Sequence, residues 1–248
     1  MKQYFLFFLA FTLFIGFNSC KKSNEEFKTA SLDEYYPLTP GKYITYSLDS
    51  TIYVNFGASA EVHSYEVKFE VDAQITDNLG RPAYRIFRYI RNPGAGAWAP
   101  DATFTAVNDS TGLEFIENNL RYLKLKQPVR DNYTWKGNTY IDTYSINSPV
   151  KYLDDWDYVY ENVGITQQVG TFTFDNTLTV NQRDEIIGNP ADINSYAEIN
   201  YSLEKYAAGI GMVYRQFLHT EYQPPVPGLE GHYVDGSYGV TYTIIDHN

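Results

Sequence analysis

Apolar and polar residues alternate along several segments of this 248-residue chain, and that alternation limits its fold more than any other feature. In the segment 66–75, Val67, Phe69 and Val71 alternate with charged residues. A period of two places successive side chains on opposite faces of a strand. One apolar face and one polar face are typical of antiparallel sheets. The pattern returns in segments 172–180 and 238–244 and predicts a mostly β protein.

Turn residues divide the chain into short strands. The cluster Asp77–Pro82 predicts a hairpin whose return strand is Ala83–Arg91. The segment Ile193–Ala208 is compatible with a helix that ends before Gly209, but a strand through Ile199, Tyr201 and Leu203 is favoured. The 24 tyrosines and 15 phenylalanines also favour strands. The other predicted strands are Lys42–Leu48, Thr51–Phe56, Thr103–Val107, Gly112–Glu117, Arg121–Leu125, Tyr140–Ile146, Tyr158–Glu161 and Met212–Tyr222.

The predicted fold class is all-β, or β-rich α+β, in one domain that covers residues 35–248. Ten or more short antiparallel strands cannot lie in one flat sheet, so they curl into a barrel, an open half-barrel or a sandwich. A membrane-spanning barrel alternates in the same way. The charges of Glu66, Lys68 and Glu70 on one strand face argue against that alternative.

Composition excludes several classes of function. A formal net charge of −11 argues against nucleic-acid binding, which needs a cationic surface. A single cysteine excludes a disulfide framework and any multi-cysteine metal site. The four histidines, among them His219, have no metal-ligand spacing and are interpreted as scattered surface residues, so neither a metal nor another cofactor is predicted.

The N-terminus has the layout of a secretory signal. Lys2 precedes an apolar run from Tyr4 to Phe17. That run is shorter than the roughly 20 residues that a membrane helix needs. The sequence therefore divides into a signal peptide at 1–19, a flexible tether at 20–34 and the β domain at 35–248.

The residues at the end of this signal, Phe17-Asn18-Ser19-Cys20, resemble the lipidation site of Bacteroidetes-type lipoproteins. Ser19 stands at the small-residue position and Cys20 at the lipidated position. The resemblance implies a diacylglyceryl group and an N-acyl chain on Cys20, enough for stable anchoring in a membrane. Glu25-Glu26 resembles a signal for export to the outer face, or is part of an ordinary linker. The alternatives to lipidation are a plain signal peptide and an uncleaved anchor helix.

Two further segments resemble motifs of a recurrent group of Bacteroidetes lipoproteins. They are the opening YYPLTPGKYITY, from Tyr35 to Tyr46, and the tail element YAAGIGMVY, from Tyr206 to Tyr214. The resemblance implies an open half-barrel like that of the lipoprotein carriers LolA and LolB, and it implies no catalytic residue. A shared fold does not establish a shared function.

The weak candidates for ligand binding are the tryptophans Trp98, Trp135 and Trp156 and the acidic cluster Asp154, Asp155 and Asp157. Exposed aromatic rings beside carboxylates are suited to sugars, because a ring packs on C–H groups and a carboxylate accepts from hydroxyls. The alternatives are that each tryptophan caps the core, and that the acids bind calcium or form a solvated turn.

The sequence therefore predicts an outer-membrane lipoprotein, on the periplasmic or the surface-exposed side, that acts as a non-catalytic binding or scaffolding module. Its ligand would be a carbohydrate or an apolar molecule, and its membrane contact would be the acyl chains. The alternatives are a carboxylate-dependent hydrolase of glycans and a structural component of an envelope assembly. An open, aromatic-lined interior would favour a carrier, and a filled interior would favour a scaffold or surface binder.

Overall fold

The computed structural model describes residues 29–248, so Cys20 and most of the tether lie outside the described residues. The described chain contains one short α-helix, thirteen β-strands and a 3-10 turn at Lys151–Leu153. The helix is α1 (Leu32–Tyr35). The strands are β1 (Tyr43–Val54), β2 (Ser59–Thr76), β3 (Pro82–Arg91), β4 (Ala99–Asn108), β5 (Gly112–Glu117), β6 (Leu120–Lys126), β7 (Thr134–Lys136), β8 (Asp157–Val169), β9 (Phe172–Gly188), β10 (Ala197–Ala207), β11 (Gly211–Gln223), β12 (His232–Tyr233) and β13 (Tyr238–His247).

The strands form one antiparallel sheet that curls almost into a closed barrel. Its order is β6-β5-β4-β3-β2-β1-β13-β11-β10-β9-β8-β7, with the short β12 paired to β11 outside this path. The two ends of the path meet where the Leu123 amide of β6 donates to the carbonyl of Gly137, beside β7, at 2.8 Å. The prediction of an antiparallel β-barrel is confirmed. The curled sheet hides its two edges, which would otherwise expose unpaired backbone groups.

Because neighbouring strands are antiparallel, successive connections alternate between the two ends of the barrel. The N-terminal end carries residues 29–42 and the connections 77–81, 109–111, 127–133, 170–171 and 208–210. The loop end carries the connections 55–58, 92–98, 118–119, 137–156, 189–196 and 224–237. The longest connection, 137–156, is therefore at the end opposite the chain's first described residues.

Residues 29–36 cross the N-terminal end and seal it. Helix α1 begins after Ser31, whose Oγ accepts from the Asp33 amide at 3.3 Å. The Glu34 carbonyl accepts from the Gly209 amide at 2.7 Å, and the hydroxyl of Tyr35 donates to Asn176 at 2.8 Å. On the other side, Thr29 Oγ1 accepts from the Val129 amide at 2.8 Å. The packed domain thus begins by Thr29, six residues earlier than predicted, and residues 29–34 are not part of a flexible tether.

The two motifs that resemble lipoprotein sequences contact each other at this end. The Tyr46 hydroxyl donates to the Met212 carbonyl at 2.7 Å, and the rings of Tyr36 and Tyr206 are 6.3 Å apart. A Cβ on Gly211 would come within 3.1 Å of the Ile44 side chain, and Gly211 has a φ of +123°, which favours glycine. Both motifs therefore serve packing and closure of the barrel end.

The structure confirms most predicted strands and corrects two. Segment 140–146 is not a strand, because the Asp142 carboxylate accepts from the amides of Tyr144 and Ser145 and holds a turn. The two predicted strands at 42–56 are one continuous strand, β1, whose end is set by left-handed backbone at Asn55 and Phe56. The segment left open between helix and strand is strand β10, as favoured. Within residues 29–248, no helix is long and apolar enough to span a membrane.

Candidate functional site

Four charged side chains meet inside the barrel. They are Glu117 at the end of β5, Lys124 on β6, Glu204 on β10 and Arg215 on β11. The Arg215 guanidinium lies 3.0 Å from Glu117 and 3.6 Å from Glu204, and the Lys124 ammonium pairs with Glu204. The Tyr206 hydroxyl also donates to Glu204 at 2.6 Å. Two cations thus face two anions, so the charges of this lumenal cluster balance.

Burial and pairing shift the pKa values of this lumenal cluster. Burial lowers the pKa of Lys124, even though Glu204 favours its charged form. Burial alone would raise the pKa of Glu117, but Arg215 and Lys124 outweigh it and leave that pKa lowered. The Arg215 pKa is raised well above its usual value, because Glu117 and Glu204 outweigh the cost of burial. Glu117 and Arg215 therefore favour each other's charged form, whereas burial works against the charge of Lys124.

The cavity at the lumenal cluster has a volume of only about 10 Å³. A single water needs at least about 10–15 Å³. Aromatic side chains close it, including Tyr36 from the N-terminal segment and Phe69 and Phe115 from the sheet. At the lumenal cluster the barrel is therefore filled and has no room for a lipid or a sugar.

His219 lies further along the lumen, toward the loop end, and is buried rather than on the surface as predicted. Its ring stacks on Tyr152 with centroids 3.7 Å apart, and its Nδ1 is 2.8 Å from the Asn200 side-chain oxygen. Burial lowers the pKa of His219, more than Glu198 raises it. A neutral imidazole that donates from Nδ1 fits these partners.

A cleft of about 210 Å³ opens at the loop end, within and beside the 137–156 connection. Its floor is the buried apolar group Ile141, Leu153 and Trp156. Its walls carry Lys136, Thr139, Tyr144, Asp154 and Asp155. We call this the loop-end cleft.

Hydrogen bonds fix the frame of the loop-end cleft. The Asn138 side chain donates to the Leu153 carbonyl at 2.8 Å, and Thr143 Oγ1 donates to Asp154 at 2.7 Å. A hydrogen bond to Asp154 raises the pKa of the Tyr144 phenol. The cleft is therefore formed before any ligand arrives, which reduces the ordering cost of binding.

The charged groups of the loop-end cleft are paired but accessible. The Lys136 ammonium contacts Asp155 and lies 3.0 Å from Asp157. Hydrogen bonds from Lys136 lower the pKa of Asp155, and the same contacts raise the pKa of Lys136. Lys136 and Asp155 therefore stay charged near neutral pH, so the ammonium can donate hydrogen bonds and the carboxylate can accept them.

The structure brings together some of the predicted site residues and separates others. Asp154, Asp155 and Trp156 line the loop-end cleft, and Asp157 joins them through Lys136. Trp98 lies apart, on the outer face, where the Arg91 guanidinium is 4.1 Å from its ring centroid.

The expectation of exposed tryptophan platforms is wrong for two of the three rings. Trp135 is 4% exposed and Trp156 is 1% exposed, so neither ring can lie against a sugar. Each indole N–H donates to a backbone carbonyl, Trp135 to Leu123 and Trp156 to Tyr152. These two residues cap the core, which was the structural alternative.

Sequence reasoning missed the exposed ring of the cleft, Tyr144, which is 81% exposed. It also missed the lumenal cluster, because it did not assign an inward face to the strand through Ile199, Tyr201 and Leu203. In the structure Asn200, Ser202 and Glu204 point inward, while Leu203 on the other face is only half-buried. Polar and apolar residues alternate along β10, but alternation alone does not show which face lies inside the barrel. Within residues 29–248, no three His, Cys, Asp or Glu side chains are grouped so as to hold a metal ion.

Comparison with known proteins finds two solved structures with a limited likeness to this chain. No family model matches the chain, and no curated protein matches it. An exported protein from Bacteroides fragilis, described as having a YmcC-like fold, is 13% identical, with a TM-score of 0.36, over 86% of this chain and 99% of that one. A lipoprotein from Parabacteroides distasonis is 12% identical, with a TM-score of 0.33, over 86% of this chain and 97% of that one.

Proposed function

We propose that this protein is a lipid-anchored, non-catalytic module of the outer membrane, tethered at the sealed N-terminal end of its barrel and working through its loop end. The observation that carries the proposal is the filled lumen, with a cavity of only about 10 Å³ at its charged centre. A barrel that is filled at its charged centre favours a surface binder or scaffold over an apolar-ligand carrier.

The position of the N-terminal segment supports this orientation. Thr29 is already packed at the N-terminal end, and it lies nine residues further along the chain than Cys20. Nine residues span at most about 30 Å when fully extended. Acyl chains on Cys20 would keep the N-terminal end close to the bilayer and turn the loop end away from it.

The distribution of exposed apolar side chains also supports the loop end as the working surface. Among the described residues, twelve of the fifteen large apolar side chains that are exposed lie at or next to this end. Apolar side chains concentrated on one surface are typical of interaction sites. They are Phe56, Val62, Tyr140, Tyr144, Ile146, Ile186, Ile187, Ile193, Tyr196, Val226, Leu229 and Tyr238.

The proposal that this protein is not an enzyme rests on its buried carboxylates, which are both held in ion pairs. Glu117 and Glu204 are both bound to Arg215 in a space too small for a substrate. A glycan hydrolase needs one carboxyl group that can give up a proton and a second that faces the sugar. The two carboxylates of the lumen are not accessible for either role.

Replacement of Cys20 by serine tests the anchor. Wild-type protein should incorporate labelled palmitate and fractionate with the outer membrane, because two or more acyl chains give stable anchoring. Cys20→Ser should lose the label and leave the membrane fraction. Unchanged labelling and fractionation in Cys20→Ser would contradict the proposal, as would turnover of oligosaccharides by the purified wild-type protein.

A further inference from the structure

We propose that the loop-end cleft binds an uncharged sugar ring, with the exposed face of Tyr144 packed against it. This inference names the ligand class of the module proposed above and rests on that proposal only for its placement away from the membrane. The cleft, its ring and its charges are properties of the folded domain alone.

The size of the cleft sets the size of the ligand. Its volume of about 210 Å³ lies below the roughly 300–1,000 Å³ of pockets that enclose drug-sized molecules. One sugar ring is of the right order, and a chain of sugars could continue past the open side of the cleft. A peptide or a lipid chain would need a longer groove.

The exposed ring identifies the apolar part of the contact. Tyr144 is 81% exposed although it is aromatic, and it stands above the buried floor of Ile141, Leu153 and Trp156. An aromatic ring prefers to cover apolar surface, and its phenol end tolerates water. The C–H face of a sugar is such a surface, and it is bordered by hydroxyls.

The polar walls identify the rest of the ligand. The Asp154 and Asp155 carboxylates accept hydrogen bonds, the Lys136 ammonium donates them, and the Thr139 hydroxyl does both. Sugar hydroxyls also donate and accept, so they match both kinds of group. Charge-assisted hydrogen bonds of this kind are stronger than neutral ones.

The charge balance of the cleft selects against anionic sugars. Among the residues that line it, two carboxylates face one ammonium, and Lys136 is already paired with Asp155 and Asp157. A uronic acid would bring a third negative charge next to Asp154 and Asp155. Like charges in one cleft repel each other and weaken binding, so a neutral sugar should bind better than its uronic acid.

Saturation-transfer NMR and calorimetry on the purified lipoprotein in detergent provide the test. The probes are neutral oligosaccharides built from glucose, galactose, mannose or N-acetylglucosamine, together with galacturonic acid oligomers as the matched anionic probe. We expect at least one neutral probe to bind and the galacturonic acid oligomer to bind more weakly than the galactose oligomer. Because Trp156 forms the floor, the tryptophan emission should change on binding.

Variants test whether binding depends on the cleft or on another part of the surface. Tyr144→Ala should lower affinity at least about tenfold, the size of effect expected for a central aromatic contact. Asp155→Asn removes one of the two carboxylates that line the cleft. It should therefore reduce the difference in affinity between the galactose and galacturonic acid oligomers. Phe56→Ala is the matched control, because Phe56 is 99% exposed at the same end but does not line the cleft. Its affinity should equal that of the wild type.

Three results would overturn this inference: no neutral probe binds, Tyr144→Ala binds like the wild type, or the galacturonic acid oligomer binds as tightly as the galactose oligomer. None of these bears on the anchor, which the Cys20→Ser fractionation decides separately. Conversely, Cys20→Ser protein that leaves the membrane should still bind the neutral probe.

Discussion

The face of β10 that points into the barrel carries the polar side chains Asn200, Ser202 and Glu204. On β10, Glu204 is fully buried, and it is held there by Lys124, Arg215 and the Tyr206 hydroxyl. No single-strand pattern could reveal Lys124 and Arg215 as partners, since they lie on β6 and β11. The energy of burying one charge depends on partners far away in the sequence.

His219 gives the lumen a measurable pH dependence. Burial lowers its pKa, so between its folded pKa and the unfolded value near 6.5 the unfolded state binds more protons. Stability should therefore rise with pH through this window and fall as the solution is acidified. The free energy of unfolding, measured by denaturant titration at steps between pH 7.5 and 5.5, checks this.

The variant that tests this assignment is His219→Gln. His219→Gln keeps a side chain that can donate to Asn200 but removes the titration, so its slope of stability against pH should flatten in this window. Equal slopes for wild type and His219→Gln would contradict the assignment of this pH dependence to the buried ring.

At the scale of the elements, the N-terminal segment acts as a structural part of the barrel. Leu32 of α1 is 2% exposed and packs in the core. Leu32→Ala should lower the free energy of unfolding by about 2–5 kcal/mol, the usual cost of truncating a buried leucine. Leu79→Ala, in the exposed β2–β3 turn, is the control and should change it by no more than about 0.5 kcal/mol. A Leu32→Ala protein as stable as the control would mean that the segment is only loosely attached.

Local sequence patterns predicted some of these secondary-structure elements and missed others. Strong alternation located β2, β9 and β13, and the Asp77 turn cluster located the β2–β3 hairpin, because these signals are local. The loop at 140–146 was predicted as a strand, since its aromatic residues outweighed the turn that Asp142 makes. Helix α1 was missed because four residues are too few for a periodic signal.

At the scale of the whole molecule, closure of the sheet decides what kind of protein this can be. The sequence predicted a curled antiparallel sheet but left open whether the protein is a carrier with an open interior or a binder with a filled one. The choice depends on how side chains from β5, β6, β10 and β11 meet across the lumen. Part of the loop-end cleft was predicted from the sequence, namely Asp154, Asp155 and Trp156. Tyr144 and Lys136 were identified as part of it only from the structure.

The orientation of the barrel on the membrane is the central claim, and the chain offers a direct way to measure it. Cys20 is the only cysteine, so once it is acylated a second cysteine can carry a single fluorophore. Leu79→Cys places it at the N-terminal end and Ile193→Cys at the loop end, on side chains that are 71% and 70% exposed. Strands of this length separate the two ends by roughly 30 Å, allowing for tilt.

The measurement is quenching of each fluorophore by quencher-bearing lipid headgroups, with the protein reconstituted in vesicles. The account predicts strong quenching at Leu79→Cys and weak quenching at Ile193→Cys. Equal quenching at the two positions, or stronger quenching at Ile193→Cys, would contradict a barrel that is anchored by its sealed end.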